Sequence, residues 1–168
     1  MPIALMRVDD RLIHGQITCA WLSFVNANKI YVVGDLIAKD PIAIMGIKYS
    51  KISGIDSDIF SVKDALENLK KSTDRIMVLV KDPETALSLI ENGAKIDWLD
   101  VGQIGYKEGR KQVAQTVSVN EDEAKTFLKI KNFGVDVIYR QLPDHSPSDF
   151  IETLKKHFKY RSSIGCDT

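Results

Sequence analysis

The residue types that do chemistry crowd into one short stretch. Residues 7–16 read Arg7-Val8-Asp9-Asp10-Arg11-Leu12-Ile13-His14-Gly15-Gln16. A histidine with a reference pKa of about 6.5 is a neutral nucleophile at cellular pH. Arg11 precedes it by three residues and can meet phosphoryl oxygens in a bidentate grip. Gly15 lets the backbone approach closely, and a nearby aspartate can orient the ring by accepting from its other nitrogen. A helix start beside His14 would add outward amides and a positive dipole end. Phosphoryl transfer asks a protein mainly for positioning and charge stabilisation, and this stretch can supply both. A plainer reading stays open beside it. His14 can be a solvated side chain, with Arg7 and Arg11 pairing with Asp9 and Asp10 across an exposed turn, where such pairs contribute about 0–1 kcal/mol.

The elements around the stretch predict an α/β fold. Residues 2–8 form an apolar run of strand length, and Ile17, Ala20, Trp21, Phe24 and Val25 recur at helical spacing after the turn. The turn therefore joins a strand to a helix, where ligands of α/β proteins bind. Residues 29–34 read as a β-branched strand, and Asp40-Pro41 opens a helix. Asp58-Ile59-Phe60 reads as a short edge strand, followed by a Ser61-x-x-Asp64 cap and an apolar helical stripe. Residues 75–80 are continuously apolar after Arg75, as a central strand covered on both faces should be. Asp82-Pro83-Glu84 opens the next helix and Asn92-Gly93 closes it. Residues 96–101, 113–119 and 135–139 read as further strands. Helices follow at Asn120 and around Phe150, Ile151, Leu154 and Phe158. The expected architecture is a single open, mainly parallel β-sheet with helices on both faces and the active turn after the first strand. Residues 42–58 are poorly readable.

Length, charge and cysteines bound the function. The 168 residues suit one domain, taken as residues 1–158 with a loose tail over 159–168. The 23 basic and 23 acidic side chains cancel, which argues against a general nucleic-acid surface. The two cysteines, Cys19 and Cys166, form no framework, which fits a reducing setting. No basic, apolar leader opens the chain, and no run reaches the ~20 apolar residues of a membrane span. A cytoplasmic protein that meets the membrane only through partners is expected. A balanced surface neither demands nor excludes a homo-oligomer.

The stretch closely resembles the active-site signature of the enzyme IIB component of the mannose-type phosphoenolpyruvate-dependent sugar phosphotransferase system, whose members serve mannose, fructose, sorbose or N-acetylgalactosamine. Val101-Gly102-Gln103-Ile104 followed by Gly109-Arg110-Lys111-Gln112-Val113 looks like a second block of that family, and Thr116-Val117-Ser118-Val119 before an acidic helix start is similar too. The resemblance runs from about residue 3 to residue 155. It implies that His14 takes a phosphoryl group from a histidine of a IIA partner. The group then passes to a sugar crossing the membrane through IIC and IID. It implies Arg11 as the group that binds the phosphoryl oxygens and the backbone from Asp10 through Gly15 and Gln16 to Ile17 as a cradle, with Asp9 and Asp10 shaping the loop. Two positions depart from the commoner pattern: Asp100 where many members carry Asn, and Gln103 where many carry Gly. If their loop faces the turn, they are candidates for tuning partner or sugar choice. A regulatory phosphohistidine module without sugar transfer is the alternative of the same fold, and an enzyme using His14 as a general base is the alternative of another class.

Other features carry plainer expectations. Gly102, Gly105 and Gly109 do not form a dinucleotide fingerprint, and loop geometry explains them. His145 and His157 lack neighbours at metal spacing, so no metal or other cofactor is expected. Trp21 and Trp98 read as core, Cys19 as a buried thiol, and Lys81-Asp82-Pro83-Glu84 as a helix cap on the sheet edge that carries His14.

Overall fold

The computed structural model describes residues 2–50 and 54–159, apart from the side chain of residue 18. Strands and helices alternate along these residues. Seven strands make one sheet: β1 (Ile3–Asp9), β2 (Lys29–Val33), β3 (Asp56–Phe60), β4 (Ile76–Val80), β5 (Trp98–Gln103), β8 (Asp136–Tyr139) and β9 (Ser148–Asp149). Their order is β3-β2-β4-β1-β5-β8-β9, parallel throughout except for β9. The expected open, mainly parallel sheet with helices on both faces is the fold observed.

Each face has its own core. On one face Met6, Val8, Val78, Val80, Leu99 and Val101 pack under α3 (Val62–Lys71), α4 (Pro83–Glu91), α5 (Glu121–Asn132) and α6 (Phe150–His157). On the other, Leu5, Ile30, Val32, Met77 and Leu79 pack under the first helix, with Ile47 of α2 (Pro41–Tyr49) at its edge. β4 is buried along its whole length, as its unbroken apolar run predicts. The helix starts follow the sequence signals. Asp40, Ser61, Asp82 and Asn120 each accept from a first-turn amide, and Asn120 with Glu123 completes a capping box.

Three expectations change. Residues 113–119 are not one strand: β6 (Lys111–Ala114) and β7 (Val117–Val119) turn at residues 115–116 into an antiparallel hairpin outside the main sheet. The hairpin docks through a bridge from Ile104 to Val117. The first helix contains a π-helical turn, Ile17–Trp21, before α1 (Leu22–Val25). That turn uses one residue more than an α turn and shifts the helix phase. Leu22 is consequently buried, and Phe24, expected inside, is 52% exposed. Cys19, expected buried, is exposed, because Ile17 and Trp21 on either side of it take the inner face. The tail over residues 160–168, with Cys166, lies outside the described residues, as do residues 51–53 of the poorly readable stretch.

Candidate active site

The connection after β1 leads towards β2, and the connection after β5 leads the other way, to β8. β1 and β5 are neighbours, so the crevice at their carboxyl ends is the topological switch point of the sheet. Residues 10–16 lie there.

Alternation along β1 sets the chemistry. Met6 and Val8 face the α3–α6 core. Leu5 faces the first helix, and Arg7 and Asp9 follow it at the strand's two-residue period. Both are fully buried. The ion pairs are therefore not the exposed ones of the plainer sequence reading. Arg7 Nε and Nη2 donate to Asp9 Oδ2 at 3.3 and 3.2 Å, and Nη1 donates to Asp100 Oδ2. Nη1 and Nη2 also donate to the carbonyls of Arg140 at 2.8 Å and Gln141 at 3.2 Å. The Trp21 ring stacks 4.7 Å from the guanidinium carbon, and its indole N–H donates to Gln141. Gly102 leaves the space, since a Cβ there would stand 2.0 Å from Arg7 Nη2. Close approach, rather than turn chemistry, explains that glycine.

Asp9 is the hub. Arg11 donates to it from its backbone N–H at 3.1 Å and from Nε and Nη2 at 3.0 Å. His14 Nε2 lies 3.0 Å from Asp9 Oδ2. Burial alone would push the Asp9 carboxyl up. The hydrogen bonds from His14 and Arg11 and the charge of Arg7 overrule it and hold the group at about 2. Asp9 is thus an anion at neutral pH, so Nε2 carries the ring proton and donates. Nδ1 is then the ring nitrogen with the available lone pair.

Asp10 has a different task. Its backbone N–H donates to the Gln103 carbonyl at 3.1 Å, and its carboxylate accepts from the Gly105 N–H at 2.7 Å and from Gln103 Nε2 at 3.4 Å. It fastens the turn after β1 to the loop after β5. That loop is braced from beneath: Arg110 grips Glu123 and donates to the Gly105 carbonyl, and Thr116 donates to the Gly102 carbonyl. Between these fixed points the backbone turns sharply. The Leu12 N–H bonds the Asp9 carbonyl at 3.0 Å, and Leu12 adopts a left-handed φ of 57°. A non-glycine residue there costs on the order of 1–2 kcal/mol, and such strain clusters at functional turns.

The predicted site residues thus divide. Asp9, Arg11 and His14 meet in one network, and Gln16 joins it by accepting from Arg11 Nη2 at 3.3 Å. Arg11 and His14 remain partly open, at 31% and 17% side-chain exposure. Gly15 and Gln16 begin the helix, whereas the Ile17 side chain is buried in the core beneath it. Asp82 caps α4 through Thr85 and borders a cleft shared by Asp10, Lys81, Lys107 and Arg110 beside the turn. The burial of Arg7 and the carbonyls of Arg140 and Gln141 were missed as parts of the site, and Asp100 was noted only as a departure from the family pattern. The available signal was an arginine inside an otherwise apolar strand. Gln103 does reach the turn, through Asp10, whereas Asp100 is fully buried and bonds Arg7 of β1 instead. Among the described residues no cluster of three or more His, Cys, Asp or Glu could hold a metal ion, and no helix is long and apolar enough to cross a membrane.

The open, mainly parallel sheet is the fold of solved IIB domains of sugar phosphotransferase systems. Residues 3–163 match the family model described as the PTS system sorbose subfamily IIB component, and the chain belongs to that family. It is 31% identical over 157 residues to the N-acetylgalactosamine-specific phosphotransferase enzyme IIB component 2 of Escherichia coli K12, covering 92% of this chain and all of that one. It is 30% identical over 159 residues to the mannose-specific EIIAB component of the same strain, covering 93% of this chain and 49% of that longer protein. In fold it is similar to the IIB domain of the sorbose permease from Klebsiella pneumoniae, with a TM-score of 0.90 over 95% of this chain and 100% of that one at 23% identity. As a IIB component of the mannose family it belongs to a phosphoryl-transfer chain of sugar uptake, which implies IIA and IIC/IID partners.

Proposed function

We propose that His14 accepts a phosphoryl group from a histidine of a IIA partner and hands it to a sugar entering through IIC and IID. The observation that carries this is the 3.0 Å contact of His14 Nε2 with the buried, ionised Asp9. It leaves Nδ1 as the nucleophile. Nδ1 attacks phosphorus as the phosphorus–nitrogen bond of the donor histidine breaks and its electron pair returns to the donor ring. No proton leaves His14, so the phosphorylated ring carries positive charge, and Asp9 lies opposite to balance it. Arg11, partly open and held by Asp9 and Gln16, is placed to meet the equatorial oxygens. The positive end of the first helix, with the backbone of residues 10–17, completes the cradle. In the second transfer a sugar hydroxyl attacks phosphorus and the bond to Nδ1 breaks.

The IIA link is supported by the relative whose name joins IIA and IIB in one polypeptide. The site acts inside the cell, and the membrane is met through the partners. One labelling reaction tests the reading. With phosphoenolpyruvate, the two general proteins of the system and a cognate IIA, the chain should gain a phosphoryl group that is labile in acid and stable in base. His14→Ala should gain none. A wild-type chain that stays unlabelled while IIA is labelled would overturn it. Delivery to sugar should then need membranes carrying IIC and IID. A phosphorylated chain that never yields sugar phosphate with them would point to the regulatory module instead.

A further inference from the structure

Asp100 lies beside Arg7 in the register of β5 on β1 and does not touch His14. The five N–H groups of Arg7 are all engaged, two on Asp9, one on Asp100 and one each on the carbonyls of Arg140 and Gln141. Gly102 and the Trp21 ring fix the guanidinium between them. Asp100 Oδ2 takes one bond from Arg7, while Asp100 Oδ1, fully buried, has no hydrogen-bond partner. A buried carboxylate with an unpartnered oxygen is costly, so the shape of the fold alone does not explain it.

We propose that Asp100 is a positioning residue for phosphoryl acceptance at His14, acting through the Arg7 guanidinium on Asp9. The proposal rests on His14 being the acceptor. Asp9 Oδ2 is shared by Arg7 Nε, Arg7 Nη2, Arg11 Nη2 and His14 Nε2. An ionised Asp100 offsets the charge of Arg7, which leaves the negative charge of Asp9 for the His14 ring. A neutral Asp100 leaves Arg7 opposing the positive charge that the ring gains on phosphorylation. The charged groups around Asp100 are Arg7 and Asp9 from β1 and Arg140 from the end of β8; Trp21 of the first helix adds none. Burial pushes the Asp100 carboxyl up to about 7 against the pull of Arg7, so the group changes charge in the same range as a histidine.

The test is a titration of His14 by nitrogen-15 NMR in the wild type and in Asp100→Asn. The substitution removes the charge and keeps the shape. The His14 pKa should fall by on the order of one pH unit. Transfer from phosphorylated IIA should lose about tenfold in kcat with KM unchanged, because no partner surface is altered. An unchanged His14 titration overturns the proposal. If Asp100→Asn does not fold, the wild type decides. The His14 ring signals should follow a second pH step that coincides with the Asp100 carboxyl carbon, and fully independent steps overturn the proposal. The titration needs no phosphoryl donor, so its outcome is separable from that of the labelling reaction.

Discussion

Asp9 and Asp100 lie on neighbouring strands, both fully buried and both against Arg7. Asp9 receives six donor contacts from Arg7, Arg11 and His14, and its carboxyl is held at about 2. Asp100 receives one, from Arg7, and burial pushes it up to about 7. Burial against the same cation therefore goes with opposite shifts: Asp9 sets six donor contacts against a smaller burial penalty, and Asp100 sets one against a larger. The end of β1 is built to hold an anion under a histidine. The middle of β5 tolerates one only because Arg7 is there.

That comparison has consequences that can be ranked. Arg7→Met has the largest expected effect. It strips the shared cation from two buried carboxylates and should cost about 3–5 kcal/mol in denaturant unfolding. A loss below about 1 kcal/mol, the range of an exposed pair, would mean that Arg7 does not hold the turn. Gly102→Ala should come next. Its Cβ would meet the Arg7 guanidinium at 2.0 Å, and overpacking of this kind costs about 1–3 kcal/mol. An unchanged melting temperature would show that Arg7 has room to move.

Acid should read Asp9 alone. A carboxyl with a lowered folded pKa adds stability that is fully present above its unfolded value of 3.8 and is lost as pH falls towards about 2. A shift of that size corresponds to about 2 kcal/mol. Asp100 works in the opposite sense. Its raised pKa lets the folded state bind the extra proton, so its contribution weakens stability as pH rises from 3.8 to about 7. Denaturant midpoints measured from pH 2 to 8 should therefore pass through a maximum between these ranges. A midpoint insensitive to pH from 4 to 2 would break the contrast. The smallest stability change belongs to Arg11→Ala. Its side chain is 31% exposed, and the cost should stay within about 1 kcal/mol. Transfer from IIA should nevertheless slow, and equal rates would remove Arg11 from phosphoryl binding.

The fold was legible because its signals are local. The unbroken apolar run of β4, the Asp-Pro helix starts and the acids and caps before α5 each carry their own physics. The errors arose where geometry depends on distant partners. The π-helical turn shifts the phase of the first helix, which moved Phe24 and Leu22 between inside and outside and exposed Cys19. At the site, Arg11 and His14 stood out by residue type and spacing with a nearby aspartate left unspecified, and the family resemblance supplied their roles. Arg7 was visible in the sequence but given no place beyond an exposed pair, because nothing local shows that Asp100, Gly102 and the segment after β8 close around it. Asp9 and Asp10 looked equivalent as neighbours. One holds the histidine, and the other fastens two loops.

The central claim is that the ionised Asp9 fixes the proton of His14 on Nε2 and leaves Nδ1 to take the phosphoryl group. Nitrogen-15 NMR of the chain after phosphorylation by IIA tests it most directly, since coupling patterns in the imidazole ring separate the two nitrogens. The account predicts phosphorus on Nδ1 of His14 with the proton still on Nε2. Phosphorus on Nε2, or on any other residue, would contradict it.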